Sequence, residues 1–393
     1  MLSERTSGIG RYTSGIVQGI DSLAAGGRFS YSLLVPRKQM ALAAALNLHN
    51  CAGIAPLRTL TKNLAHQVLK RQLSVCLDRL LPKGIYYFPA FTMLPMRSRS
   101  SAVVVHDLAH LDVPDYVAAG NVELLRTALP RAIKQAGTII AVSEYTKERI
   151  VHHFRTDPST IRVVPPAVDR RLYHRIDQVG AQRTRERYGI SCCDYLLAVG
   201  TLEPRKNLSS LIDAFVSLPA AVRGDCALVL VGANGWDNGA VQARIDQARA
   251  RGVHIVRPSG FVQDGDMAAF YSGARGLAFV PHYEGFGIPP LEAYACGTPV
   301  LASRVASVPE AAGEIARYVD DPSDIAAIQR GLRDLLSISD QERHSLAPLM
   351  SRHLDRFGWL SSAALTLNAL TGIAVVDLMQ EVDGQASLAL ADV

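Results

Sequence analysis

Short apolar runs recur along the chain, separated by stretches in which apolar residues return every three or four positions. Tyr31–Val35, Ser101–Val105, Gly137–Val142, Tyr195–Val199, Ala227–Val231, Val253–Val256 and Gly276–Val280 are four to six residues long and rich in Val, Ile and Leu. Runs that are apolar on both faces, rather than alternating, predict strands buried inside parallel sheets. Helical periodicity predicts helices from Gly8 to about Leu23, over 40–46, 56–81 and 124–136, and beyond Ser143, whose hydroxyl suits an N-cap. Further helices are expected from Asn207 to Val216, over 289–297, over 325–336 and within 343–370. Pro289 and Pro290 suit a first helical turn, where a missing N–H costs nothing, and Gly297 suits a left-handed stop. Arg170–Tyr188 is polar and reads as a linker, and 372–393 as a loosely attached tail.

At 393 residues the chain exceeds one ordinary core and predicts two domains. Its 48% hydrophobic and 20% charged residues describe a globular protein, and no apolar run reaches a membrane-spanning length. No signal peptide is recognisable at the start. The six cysteines (51, 76, 192, 193, 226 and 296) show no metal-ligand spacing, and a reducing cytoplasm suits them best. The net charge of +5 conceals an asymmetry. Through Arg187 there are 26 Lys and Arg against 13 Asp and Glu; beyond it there are 15 against 23. A basic first half predicts an anionic partner, either a membrane surface, a nucleic acid or an acidic substrate. The helix pattern from Pro56 to Leu81 concentrates that charge, with Arg58, Lys62, His66, Lys70, Arg71 and Arg79 among leucines. It reads equally as a membrane-surface helix and as a solvated face on a core-packed one.

Candidate chemistry gathers around Glu284-Gly-Phe-Gly-Ile-Pro-Pro-Leu-Glu292, between an apolar run and a short helix. Its two carboxylates flank glycines whose bare amides stand at a helix start, where an anion is welcome. The same residues also read as a glycine turn with a Glu favouring the helix dipole. Gly200-Thr-Leu-Glu203-Pro-Arg205-Lys206-Asn207 follows a strand and sets two cations at a turn, a diphosphate cradle or a charged surface loop. His106-Asp107 ends the strand Ser101–Val105, where side chains of a parallel sheet meet ligand. Asp107 reads as a cap or an orienting neighbour, and Asp112 is a weaker candidate. Asp264-Gly-Asp266 has the form of an Asp-x-Asp metal motif, but reads better as the cap of the helix that follows.

The Glu-(seven residues)-Glu spacing, with Gly-Phe-Gly and Pro-x-Leu-Glu between, resembles the signature of glycosyltransferase family 4. That resemblance spans nearly the whole chain. It implies the α/β GT-B fold, with two doubly wound Rossmann-like domains facing across a cleft and a C-terminal helix crossing back to the first. The boundaries expected are 1–178 for an acceptor domain, 179–342 for a nucleotide-sugar domain, 343–370 for closing helices packed on the first domain, and 371–393 for the tail. By position, Glu284 lies at the transferred sugar, Glu292 holds the ribose, and Arg205 and Lys206 meet the diphosphate. Gly8, Gly200, Val262, Phe286, Gly287 and Ile288 complete the donor site, and His106 contacts the sugar or positions the acceptor. The loop at Gly260-Phe261-Val262 brackets the base, and Ala306-Ser-Val-Pro309-Glu310 lies near the nucleotide.

The activity implied is retaining transfer of a sugar from a nucleotide donor to a glycan or lipid-linked acceptor, without a metal or other cofactor. The Gly235-Trp236 loop is similar to those of bacterial mannosyltransferases and favours GDP-mannose. Two departures stand out. The family's first strand, before the glycine loop at Ser7–Tyr12, is not seen, so a gap in the first sheet or an upstream start is expected. Pro166-Ala167 replaces a more usual Asn-Gly. The alternatives are a sugar-nucleotide epimerase of the same fold and a catalytically weakened glycan- or lipid-binding scaffold. A nucleic-acid binder accounts for the basic half, but no aromatic platform interleaves those cations, so no nucleic acid is expected as a partner.

Overall fold

The computed structural model describes residues 7–57, 81–96, 98–192 and 194–380. Residues 58–80 of the expected basic helix, Arg97 and the chain beyond 380 lie outside the described residues. Two compact units divide the chain: unit 1 comprises Met1–Leu111, Ala119–Ala167 and Phe357–Val393, and unit 2 comprises Asp112–Ala118 and Val168–Arg356.

Unit 2 is built on six parallel strands: β7 (Tyr195–Val199), β8 (Ala227–Val231), β9 (Ile255–Val256), β10 (Gly276–Phe279), β11 (Val300–Ser303) and β12 (Arg317–Val319). Their spatial order is β12-β11-β10-β7-β8-β9. The chain lays down three strands in one direction, returns to the middle and lays down three in the other. Neighbours β7 and β10 therefore bound the switch point of a doubly wound sheet, where the loops leaving two adjacent strands diverge. The central strands are buried on both faces, as their unbroken apolar runs require, and Leu196, Leu228, Leu230, Phe215, Ile245 and Leu332 share one core.

Unit 1 carries β1 (Ser32–Val35), β2 (Gly53–Pro56), β3 (Tyr86–Phe88), β4 (Ser101–Val105), β5 (Thr138–Ala141) and β6 (Ile161–Val163), all in parallel pairs. Among the described residues these form two sheets, β1-β2 and β3-β4-β5-β6. Val103, Val105, Leu129, Ile139 and Ile150 centre the core of the larger sheet. The helix Gly8–Ala24 opens at Ser7, whose hydroxyl accepts from the Gly10 amide at 3.2 Å. It packs on the helix Trp359–Thr371, which is fastened to the same unit by Ser362 Oγ donating to the Pro165 carbonyl at 2.8 Å.

Several elements differ from the sequence expectation. Within 343–370 only the helix Trp359–Thr371 belongs to unit 1. The helix Asp340–Leu354 packs in unit 2 on the helix Pro289–Ala295, because its buried face, with Met350, His353 and Leu354, is used there. Strands β2, β3 and β12 are short and half-buried, without the long apolar run that marks a central strand. The expected linker contains a helix, Gln178–Glu186, started by Asp177 accepting from the Gly180 amide at 2.9 Å. Its few apolar side chains hide the period, because the buried residues include an arginine, Arg185, lying against Tyr195.

Candidate active site

The loop leaving β7 runs through Gly200 into a single 3-10 turn, Pro204–Lys206, with the proline in its first turn. Asn207 ends the turn in the left-handed region (φ 56°), which Asn tolerates better than most residues. Its buried amide donates to the Val280 carbonyl at 2.9 Å and to that of Pro322 at 2.6 Å, tying this loop to the one leaving β10. The turn thereby places Arg205 and Lys206 against Glu284. Arg205 Nη1 lies 3.1 Å from Glu284 Oε2, and Lys206 Nζ pairs with Oε1. On its other side Arg205 Nη2 meets Glu203 Oε1 at 3.0 Å.

Four charged side chains of alternating sign thus close on one another at the switch point, and their side chains are only 8–18% exposed. Burial by itself pushes the Glu284 carboxyl up. The Lys206 and Arg205 cations and their hydrogen bonds outweigh that, and hold it below the ordinary carboxylate range. The result is an ionised, buried carboxylate paired with two cations at the switch point.

The backbone around Glu284 is held from several elements. The Arg205 carbonyl accepts from the His282 amide at 2.9 Å, and Arg205 Nη1 reaches the Tyr283 carbonyl at 3.3 Å. Ser303 Oγ donates to the Pro281 carbonyl at 2.7 Å, and Ser307 Oγ to that of Glu284 at 2.8 Å. The Tyr283 hydroxyl donates to Asp112 at 2.9 Å, and Tyr116 stacks on His282 at 4.7 Å. Gly287 has φ 93°, a conformation that strains any side chain, and its turn leads into the helix Pro289–Ala295. Phe286 is buried, while Gly287 and Ile288 are half-buried. Glu292, 1% exposed, accepts from Tyr271 Oη at 2.6 Å.

The other expected donor residues are more scattered. Gly200 lies beside the Lys206 stem, and Val262 is buried, with its neighbour Phe261 at the surface instead. Asp266 corrects the capping expectation. It stands at the start of the helix Met267–Ser272 without capping it, because its carboxylate is taken by Arg187 at 2.8 Å and Tyr188 Oη at 2.6 Å.

In unit 1, Gly8 is exposed in the first turn of its helix. His106 is buried at the end of β4, and its Nε2 donates to the Pro89 carbonyl at 2.8 Å. Tyr12 and Phe91 stand edge-on to its ring at 5.1 and 5.5 Å. Burial lowers its pKa despite that hydrogen bond and Asp107, so it is a neutral imidazole with one nitrogen committed. Glu203 and Ser303 carry no role in the sequence reading, and Ser307 enters it only as part of the loop 306–310 expected near the nucleotide. The only signal for Glu203 was an acid within one turn of two cations.

Residues 183–348 match the family described as Glycosyl transferases group 1, and residues 84–172 match Glycosyltransferase Family 4. The O-antigen chain mannosyltransferase B of Escherichia coli is 30% identical over 72% of this chain and 73% of its own length. The GDP-mannose-dependent alpha-(1-6)-phosphatidylinositol monomannoside mannosyltransferase of Mycolicibacterium smegmatis is 31% identical, over 63% of this chain and 65% of its own. The serotype-specific mannosyltransferase WbdA of Escherichia coli is 28% identical over 64% of this chain, which spans about a third (31%) of that protein. The fold is similar to that of WaaG, a glycosyltransferase involved in lipopolysaccharide biosynthesis (TM-score 0.65, 16% identity, 93% of this chain and 97% of that one). It is also similar to Anabaena Alr3699/HepE, solved in complex with UDP and glucose (TM-score 0.66, 16% identity, 95% and 98%).

Proposed function

The chain belongs to the glycosyltransferases of the group 1 and family 4 descriptions, and from that premise we propose that it transfers mannose from GDP-mannose to a glycan or lipid-linked acceptor with retention of configuration. The observation that carries the reading is the pairing of Arg205 and Lys206 with Glu284 at the β7–β10 switch point. In the reaction the bond from the anomeric carbon to the diphosphate breaks, and a bond to the acceptor oxygen forms on the same face. The acceptor's proton passes to the departing diphosphate. Negative charge grows on that leaving group while positive charge grows on the sugar ring. Arg205 and Lys206 meet the first, partly desolvated and turned from Glu284 to the diphosphate once the donor is bound. Glu284 favours the second and binds sugar hydroxyls.

Glu292 holds the ribose, and Gly200, Val262, Phe286, Gly287 and Ile288 line the donor through backbone and apolar contact. His106, neutral and oriented by Pro89, offers its second ring nitrogen to a sugar or acceptor hydroxyl. Mannose and GDP are favoured by the names of the relatives, which include mannosyltransferases from two genera.

The test is transfer by purified protein from a panel of GDP-, UDP- and ADP-sugars to membrane-extracted acceptors, with the product's anomeric configuration read by NMR. GDP-mannose is expected to be the donor used, the new linkage to keep the donor's configuration, and Glu284→Ala to abolish turnover. An inverted product, or faster transfer from another sugar, overturns the corresponding part.

A further inference from the structure

Every side-chain partner of the Glu284 carboxylate named above is also a partner for the donor. Arg205 and Lys206 hold it through Oε2 and Oε1. On the glycosyl-transfer reading, on which this inference rests, both cations turn to the diphosphate when donor is present. Something other than those two side chains must then keep the carboxylate aimed.

The main chain supplies it at one residue. Ser307 is fully buried, and its hydroxyl donates to the Glu284 carbonyl at 2.8 Å across 23 positions of sequence. Ser307 also occupies the N-cap position of the helix Val308–Ala312, where a serine hydroxyl ordinarily accepts from an amide of the first turn. No such cap bond is made. Its backbone is helical (φ −88°, ψ 0°) rather than extended as a capping serine requires, and the hydroxyl is turned to a distant loop instead. The preceding Ala306 is held in the left-handed region (φ 48°), a conformation uncommon for a residue with a Cβ. The left-handed Ala306 and the helical backbone of Ser307 together direct one hydroxyl at the carbonyl of the candidate catalytic carboxylate.

We propose that Ser307 is a positioning residue for Glu284, a main-chain latch that keeps the carboxylate at the reacting sugar after Arg205 and Lys206 have moved to the leaving group. Fixing the carbonyl fixes the peptide plane that follows Glu284 and the place of its Cα, so that only rotation about the Cα–C bond is left to redirect the side chain. Ser303 is the internal comparison. It is equally buried and makes an equivalent bond at 2.7 Å to the Pro281 carbonyl of the same loop, three residues before Glu284. Its loss perturbs the loop without releasing Glu284 itself.

The experiment compares Ser307→Ala and Ser303→Ala in the full chain. Ser307→Ala is expected to lower kcat by about 10- to 100-fold, the scale of a misplaced catalytic group, with donor KM changed by less than about threefold. Ser303→Ala is expected to lower thermal stability comparably and to lower kcat at least about fivefold less than Ser307→Ala does. A wild-type kcat in Ser307→Ala, or an equal loss in both variants, overturns the proposal. Crystal structures of the two variants grown with GDP give a reading that needs no turnover. Glu284 should be displaced or split between conformers in Ser307→Ala only, and an unmoved Glu284 there also overturns the latch. If the wild type transfers no sugar from any nucleotide donor, it is the transferase reading that falls, and the structural comparison still decides the latch.

Discussion

At the scale of single residues, the Arg205–Lys206–Glu284 group sets two outcomes that differ in kind. On the proposed function Lys206 meets the leaving diphosphate, and removing one preorganised donor to developing charge typically costs about 10²-fold or more in rate. Lys206→Ala should therefore lose about 10²-fold in kcat, measured by initial-rate transfer, and wild-type turnover in that variant would remove Lys206 from the site. Glu284 also affects folding. Its carboxyl is held below the usual value of 4.5, so near that pH the unfolded chain binds more protons than the folded one. The stabilisation is present above the unfolded value and is lost as pH falls through the folded one. Urea midpoints of wild type and Glu284→Gln, measured from pH 7 down to pH 3, should differ most at neutral pH and converge on the acid side. A gap that stays constant or widens towards pH 3 contradicts the assigned direction.

At the scale of elements, the helix pair Gly8–Ala24 and Trp359–Thr371 depends on two glycines one turn apart. A Cβ on Gly15 would lie 2.3 Å from the Trp359 ring, and one on Gly19 would lie 2.6 Å from Ala363 Cβ and 2.8 Å from the Trp359 carbonyl. The ring can shift, but the backbone carbonyl cannot. Gly19→Ala should cost about 1–3 kcal/mol through overpacking, read as a lower urea midpoint. An unchanged or raised midpoint, as a better helix former alone would give, rules out the close approach. Neither glycine was legible as a contact, because a helix-period pattern shows which face is apolar and not what lies against it. Legibility followed the same logic elsewhere. Tyr195–Val199 and Ala227–Val231 declared themselves because central parallel strands are apolar on both faces. Tyr86–Phe88 and Arg317–Val319 did not, being short and half-buried. At the candidate site, spacing along the chain drew attention to the glutamates, the cations and the turn glycine. Ser307 could not be picked out in this way, because its partner is 23 residues away, and the resemblance placed its loop near the nucleotide without giving the serine a contact.

At the scale of the whole molecule, the charge is divided unevenly along the chain. The first 187 residues hold twice as many basic as acidic residues, and the remainder holds an acidic excess. Among the described residues no helix is long and apolar enough to cross a membrane. If the acceptor is lipid-linked, the enzyme must meet it at a surface, and electrostatic attraction suffices for reversible docking. Each Lys or Arg close to an anionic leaflet contributes about 1 kcal/mol, so four or five acting together give binding without insertion. The cations at 58–80 lie outside the described residues, and the argument for them rests on sequence alone. Vesicle co-sedimentation should show binding that requires anionic lipid and weakens as salt shortens the screening length. Replacing Lys62, Lys70 and Arg71 together by Glu reverses the local charge and should release the protein, while transfer to a soluble acceptor analogue continues. Equal binding to neutral and anionic vesicles, or none to either, would end the docking argument and leave the chemistry at Arg205, Lys206 and Glu284 untouched.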